Sequence, residues 1–346
     1  THRKAHPMTQ HRISFATAAD TLAAIPALLG FTPENSVVVI ALAKEANGAH
    51  VIAVAMRIDA FAAETAAHKL ATAAAHQDVD GVPVTSVILA AIADPAHTGA
   101  ALIGLEAIRE AMAGSAIDTA LGLHAYSLTA GSIYTDLGNN TDGIVPDPAI
   151  SEAATAMAVE EGLSSTGRRE DIAARFEQGD VIPESLGLAA ATTMGEDFLP
   201  VTFDELAAVI HAREIPGADL TARVGLALAT GHTEVRDAFL AMATHGARDA
   251  GETFTKIAAR LTGTARAHAL TIAGMFHYST GDGAAAAIAL EAVNREATAS
   301  TGVPSLARLL RAALDGGAPP KLIGDVIAVI TPQYVADHIG RVQSFT

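Results

Sequence analysis

The chain has 346 residues, a formal net charge of −16 and no cysteine. These values exclude disulfides, thiolate zinc sites and cysteine nucleophiles, and they disfavour nucleic acids and anionic membrane surfaces as partners. Half of the residues are hydrophobic but only 4 % are aromatic, so alanine, valine, isoleucine and leucine must supply most of the core.

No apolar run reaches the roughly 18–20 residues that a membrane-spanning helix needs, and the first residues lack the apolar core of a signal peptide. The sequence therefore predicts no membrane segment and a cytoplasmic location. Residues 1–12 are predicted to be a tail that is disordered or foreign to the natural chain.

The stretch from Ile13 to Ala43 predicts a helix, a turn and a buried strand. Apolar residues recur at helical spacing up to Leu29, and Gly30 is the natural end of that helix. Pro26 lies inside the pattern, so the helix either begins near Ala24 or is kinked there. The β-branched run that follows is typical of a strand buried on both faces.

Together with the residues that follow it, this stretch predicts an α/β domain over residues 13–148. The sequence pattern gives strands at about 50–58, 84–93, 120–128 and 132–137, with helices at about 61–76 and 98–113. The second strand is the natural hairpin partner of the first. The second, third and fourth strands are expected to run parallel through right-handed crossovers. The result would be a mixed sheet in a two-layer or three-layer sandwich.

The stretch Gly138–Pro148 is the clearest break in the chain, and no strand is predicted after it. Residues 149–346 therefore predict an all-helical domain. One helix is expected to begin at about 203, where Thr202 and Glu205 fit a capping box. Residues 265–293 predict two antiparallel helices joined at Gly281–Gly283, a pattern like a tetratricopeptide hairpin. An ordinary helical hairpin explains the same pattern, because stacked arrays need about three repeats.

The stretch LLGFTPENSVVVIAL resembles the opening of the actinobacterial domain of unknown function 4192 family. Three further landmarks extend the resemblance from about Ile13 to Leu322; they are Arg57-Ile58-Asp59, GRREDIAARF at 167–176, and the segment from GDGAAAAIALEAV to SLARLLRAALDGGAPP at 281–320. The resemblance implies a shared fold. It implies no activity, because the family is defined by its sequence alone.

The best site hypothesis comes from topology. Ligands on open α/β sheets bind beyond the carboxyl ends of the strands. Those ends would bring together Arg57, Asp59, Asp94 and Ser127, a set suited to a phosphorylated or anionic small molecule and a divalent cation. The alternative is structural. Asp59 and Asp94 would cap the helices that follow them, and Arg57 would simply pair with Asp59.

Recognised catalytic patterns are missing from the sequence. It has no nucleophile-elbow motif, no dinucleotide fingerprint and no two-histidine zinc motif, and His124 is expected to be a satisfied core histidine. Metal and cofactor remain unknown, and the balance leans against an enzyme. The sequence favours a non-catalytic protein-interaction or scaffold protein that acts through its helical domain on a protein partner or another copy of itself. Its mean hydropathy of +0.31 predicts a homo-oligomer.

Overall fold

The computed structural model describes residues 17–161, 167–297 and 302–344. The predicted tail at 1–12 lies outside these residues. The chain divides into two compact units, one extending to Arg168 and the other beginning at Arg169. The boundary after residue 148 stays a prediction.

The described residues of the first unit form a sheet and four α-helices. Its strands are β1 Ser36–Lys44, β2 His50–Asp59, β3 Asp78–Val79, β4 Val82–Ile92, β5 Asp118–Ala125, β6 Ile133–Asp136 and β7 Thr141–Ile144. Its helices are α1 Ala18–Leu29, α2 Ala60–Ala75, α3 Thr98–Gly114 and α4 Glu152–Glu161.

The sheet is mixed, with strand order β2-β1-β4-β5-β6-β7, and β3 pairs with β4. Strand β1 is antiparallel to both β2 and β4, whereas β5 is parallel to β4. Strands β2, β4 and β5 therefore run in one direction, as the sequence predicts, although β1 lies between β2 and β4. Their carboxyl ends share one edge of the sheet.

Helices pack on both faces of the sheet. Alternate residues of β1, beginning with Val37, pack with α2 and α3. The intervening residues, beginning with Val38, pack with Leu22 and Ile25 of α1 on the opposite face. The continuous apolar run of β1 is explained by this burial on both sides, because neither face of the strand meets water.

Helix α1 begins earlier than the start near Ala24 that was one of the two predictions from the sequence. Its first turn is capped by Thr17, whose Oγ1 accepts a hydrogen bond from the Asp20 N–H. The helix begins at Ala18, so the predicted start near Ala24 is wrong, and Pro26 lies in the interior of the helix. The end is as predicted, because Gly30 takes the left-handed conformation that terminates helices.

The predicted break at Gly138–Pro148 contains a strand. Strand β7 pairs antiparallel with β6 through a tight turn. The Asp136 carboxylate accepts hydrogen bonds from the backbone N–H groups of Gly138 and Asn139 and thereby closes the turn. Glycine and asparagine are typical of hairpin turns because they tolerate a positive φ, so the sequence Gly138-Asn139-Asn140 was a signal for this hairpin. Asn140 indeed has a φ of 51°.

The second unit is helical, and its described residues contain no strand, as predicted. Its helices are α5 Arg169–Ala174, α6 Glu184–Met194, α7 Phe198–Ala212, α8 Ala218–Ala229, α9 Thr233–Ala238, α10 Ala247–Ala258, α11 Gly263–Ser279, α12 Gly283–Glu296, α13 Ser305–Asp315, α14 Pro320–Ala328 and α15 Pro332–His338. None of the described helices in either unit is both long and apolar enough to cross a bilayer.

Helix α11 is the centre of the second unit, because most of its residues are buried. A series of phenylalanine rings in contact with one another ends on this helix, at Phe276. The ring centroids lie 5.7 Å apart between Phe203 and Phe239, 6.2 Å between Phe239 and Phe254, and 5.9 Å between Phe254 and Phe276. These few aromatic residues fill the space that small alanine side chains leave between the helices.

Two sequence expectations for the second unit have different outcomes. The capping box at Thr202 is wrong, because α7 already begins at Phe198 and Thr202 is buried inside it; Glu205 instead pairs with Arg223. The helical hairpin is present as α11 and α12, and Asp282 caps α12 by accepting a hydrogen bond from the Ala285 N–H. Its likeness to a tetratricopeptide unit stays a prediction.

Candidate functional site

The sequence-predicted site lies at the edge where β2, β4 and β5 end. We call this edge the rim and define it by Arg57, Asp59, Asp94 and Ser127. The register places Asp59 opposite Ser36 on one side of β1 and Ile92 opposite Ser36 on the other. The ends of β2 and β4 therefore flank the start of β1, and β1 separates the two aspartates.

Arg57 is held by four acceptors. Its Nε donates to Ser36 Oγ at 2.7 Å, and Nη2 donates to the Glu34 carbonyl oxygen at 3.3 Å. Its Nη1 and Nη2 donate to the two carboxylate oxygens of Asp59 at 3.1 and 2.8 Å. This bidentate pair is the structural alternative that the sequence offered. The expected capping by Asp59 is not made, since its side chain forms no hydrogen bond to the first turn of α2.

Asp94 is committed to the loop before α3. Its Oδ1 accepts from the backbone N–H groups of Ala96 and His97 and lies 2.7 Å from His97 Nδ1. The hydrogen bond with the His97 side chain is the main reason that the pKa of Asp94 falls below its usual value. The carboxylate thus stays ionised while it orders the entrance to the helix.

Asn35 joins the two halves of the rim, and sequence reasoning missed it. Its Oδ1 accepts from the Asp94 backbone N–H at 3.0 Å, and its Nδ2 lies 3.4 Å from Asp94 Oδ2. Its carbonyl oxygen accepts from the Ala60 N–H at the start of α2. Asn35 has a positive φ of 45°, which makes this geometry possible. The available sequence signal was an asparagine directly after Pro33-Glu34, because asparagine adopts the left-handed conformation more readily than most residues.

Ser127 lies in the turn after β5. Its Oγ is 2.8 Å from Ser132 Oγ and accepts from the Thr129 N–H, so it stabilises that turn. The Ala93 N–H donates to the Ala125 carbonyl oxygen, which keeps the ends of β4 and β5 side by side. The side chains of the rim therefore form two groups, Arg57 with Asp59 and Asp94 with Asn35, which the Asn35 backbone connects, and a serine that bonds within its own turn.

The metal part of the rim hypothesis gains no support from the geometry. Over the described ranges 17–161, 167–297 and 302–344, no three histidine or acidic side chains are grouped as a metal ion requires. Asp59 and Asp94 each bond to different neighbours.

His124 lies on β5 as a buried side chain, but it is not a satisfied one. Its ring meets the Tyr126 ring edge-on, with centroids 5.0 Å apart. Its Nε2 has no hydrogen-bond partner within the described part of the chain. Burial lowers the pKa of His124, so the ring is neutral at pH 7.

A different kind of surface is found on α14 of the second unit. Leu322 and Val326 of α14, and Val329, which directly follows the helix in helical conformation, are exposed by 49 %, 46 % and 72 %. They follow the four- and three-residue spacing of one helical face. Ile323 and Ile327, on the other side of the helix, are buried in the core. We call the three exposed residues the α14 face. Apolar side chains aligned in this way are typical of interaction surfaces.

Comparison with known proteins identifies the family. Neither the curated proteins nor the solved structures contain a match to the chain. The family described as a domain of unknown function (DUF4192) matches residues 19–321, which includes β1 to β7 and α2 to α13. The chain therefore belongs to the DUF4192 family.

Proposed function

We propose that this protein is a non-catalytic protein-interaction protein that acts through its helical unit, with the α14 face as its contact surface. The observation that carries the proposal is the alignment of three exposed apolar side chains on a helix whose opposite side is anchored in the core. The rim supports the same choice, because its charged side chains are already engaged by their own neighbours.

A second copy of the chain is the partner that the α14 face fits best. A two-fold contact places a surface against itself, so the surface must not repel its own copy. The charged neighbours on α14 are Lys321 and Asp325, which pair at 3.0 Å and carry no net charge together. Two such faces can therefore bury their apolar side chains against each other without opposing like charges.

Light scattering after size-exclusion chromatography tests this proposal. At tens of micromolar, the wild type is expected to have twice the chain mass of 35.2 kDa. Replacing both Val326 and Val329 with serine should yield monomers, because the apolar area that drives association is lost. Both side chains are exposed, so the fold should keep its stability to within about 0.5 kcal/mol.

Ile215→Ser is the matched control, because Ile215 is an exposed apolar residue of the same unit, at 76 %, but lies outside the α14 face. It should leave the dimer intact. A wild type that is monomeric at every concentration would contradict self-association. Dissociation by Ile215→Ser as well would show that general surface hydrophobicity, rather than the α14 face, holds the copies together.

A second candidate function is the binding of a phosphorylated or anionic small molecule at the rim, and one observation favours it. The Arg57 side chain is only 18 % exposed and is positioned by Ser36 and Glu34, whereas its carboxylate partner Asp59 is 66 % exposed. An incoming phosphate can take the place of the Asp59 carboxylate on a guanidinium that is already oriented. Asp94 and Ser127 would border that ligand.

Thermal shift with inorganic phosphate and with magnesium nucleotides tests the rim. A ligand that binds only the folded state raises the melting temperature by mass action. We expect a rise for the wild type and none for Arg57→Ala. The control is Arg109→Ala, which removes an exposed arginine paired with Glu106 on α3. Equal melting temperatures with and without these ligands would dismiss the rim as a site.

A further inference from the structure

A cleft between α12 and α13 combines arginines with an apolar floor. It has a volume of about 200 Å³, and its described lining residues are Leu290, Asn294, Val303, Ala307, Arg308 and Arg311. We call it the α12–α13 cleft. Sites for drug-sized ligands have about 300–1,000 Å³, so this cleft has room for a smaller molecule.

The charge on one wall of the cleft is positive. Arg308 and Arg311 are three residues apart on α13 and therefore lie on the same side of the helix. Arg308 forms no ion pair with another residue in the described ranges. Arg311 pairs with Asp315 at 3.0 Å, and both of these side chains are solvent-accessible. Exposed pairs of this kind contribute little, so Arg311 can exchange its partner readily.

The rest of the cleft is apolar with one amide. Leu290 and Ala307 are buried and form the floor, and Val303 is half-buried at its side. Asn294 adds hydrogen-bonding groups from α12, across from the arginines. Guanidinium groups bind carboxylates and phosphates through paired hydrogen bonds, whereas the floor favours carbon atoms.

We propose that the α12–α13 cleft binds a small organic anion, in which a carboxylate or phosphate group meets Arg308 and Arg311 and a short apolar body covers Leu290, Val303 and Ala307. This site is separate from the α14 face, and neither proposal depends on the other. It also differs from the rim, because here the arginine wall includes a guanidinium with no ionic partner among the described residues.

Titration calorimetry with five probes tests the cleft. Hexanoate and hexyl phosphate carry the full pattern, hexanamide lacks the charge, and inorganic phosphate lacks the apolar body. Hexanoate and hexyl phosphate should both bind, with affinity falling as salt is added. Acetate should bind more weakly than hexanoate, by about fourfold for each methylene that no longer contacts the floor. Hexanamide should bind at least tenfold more weakly.

Variants separate the cleft from other surfaces. Arg308→Gln changes an exposed residue and should raise the Kd for hexanoate by about tenfold while leaving the fold and the oligomeric state unchanged. Arg295→Gln, which lies on α12 and pairs with Glu177, is the matched control and should have no effect. Binding of hexanamide as tight as that of hexanoate would overturn the proposal, as would an unchanged Kd in Arg308→Gln. If inorganic phosphate bound as well as hexyl phosphate, the apolar body would have no role and the assigned ligand class would be wrong.

Discussion

Replacing Phe254 with alanine is expected to lower the free energy of unfolding of the helical unit by about 3–5 kcal/mol. Phe254 is completely buried and contacts the rings of both Phe239 and Phe276. Truncation removes its transfer free energy and leaves a cavity as well. The surrounding helices are rich in alanine, and such short side chains cannot extend into the space, so the cavity should persist.

Urea unfolding followed by circular dichroism, with hydrogen exchange of α10 and α11 to identify the unit that opens, measures this loss. Leu309→Ala is the control, because Leu309 is an exposed hydrophobic residue of the same unit. It should change stability by less than about 0.5 kcal/mol. A loss below about 1 kcal/mol for Phe254→Ala would mean that neighbouring helices close over the gap and that the series of phenylalanine rings is not what holds them apart.

The sequence was sufficient for much of the fold, because the relevant signals are local. The apolar run of β1 requires cover on both faces, and Gly30 ends α1 through its own backbone conformation. The common direction of β2, β4 and β5 follows from the connections between them. The position of β1 within the sheet is different. A hairpin with β2 leaves one edge of β1 free, and pairing of that edge with β4 depends on long-range packing.

Long-range partners also explain why the rim was only partly predictable. Topology brings the ends of β2, β4 and β5 to one edge, and this follows from the sequence pattern. Whether Asp59 caps a helix or pairs with Arg57 depends on where Ser36 and Glu34 fix the guanidinium. Likewise, Asn35 reaches Asp94 across 59 positions of the chain, and no local pattern records that contact. The start of α7 at Phe198, five residues before the predicted one, was missed for a related reason, since Thr202 and Glu205 have the spacing of a capping box although they lie inside the helix.

The rim and the α14 face also differ in whether their side chains already have partners within the chain. Arg57 and Asp94 have complete sets of neighbours, so a ligand there must displace existing hydrogen bonds. The three side chains of the α14 face remain largely exposed to solvent, and their burial by a partner is a gain without an exchange. This difference is the physical basis for ranking an interaction role above ligand binding at the rim.

Arg266→Met is expected to destabilise the helical unit by about 3–5 kcal/mol, the second large effect. The Arg266 side chain is almost fully buried, and its Nη1 and Nη2 donate to the carbonyl oxygens of Ala258 and Phe176. Its Nε lies 3.3 Å from Glu296 Oε2. Arg266 thus provides hydrogen-bond donors to backbone carbonyl groups of two different segments, the end of α10 and the loop after α5. Methionine fills a similar volume but removes the guanidinium from all three acceptors; among the described residues, the Ala258 carbonyl oxygen keeps only the Leu261 N–H and the Glu296 carboxylate keeps only the Gly263 N–H. Buried polar groups that lose a charged partner are costly.

A second substitution distinguishes charge from packing. Adding Glu296→Gln to Arg266→Met removes the uncompensated carboxylate, so the double variant should recover part of the stability that the single variant loses. Arg295→Met is the control for the arginine change, since Arg295 is exposed and its pair with Glu177 should contribute less than about 1 kcal/mol. Urea unfolding of the wild type, Arg266→Met, the double variant and Arg295→Met measures these differences. If Arg266→Met and Arg295→Met lost the same stability, the buried guanidinium would not be the group that joins these segments; if the double variant lost more than the single one, Glu296 would be stabilised by the Gly263 N–H, to which it also bonds, rather than by Arg266.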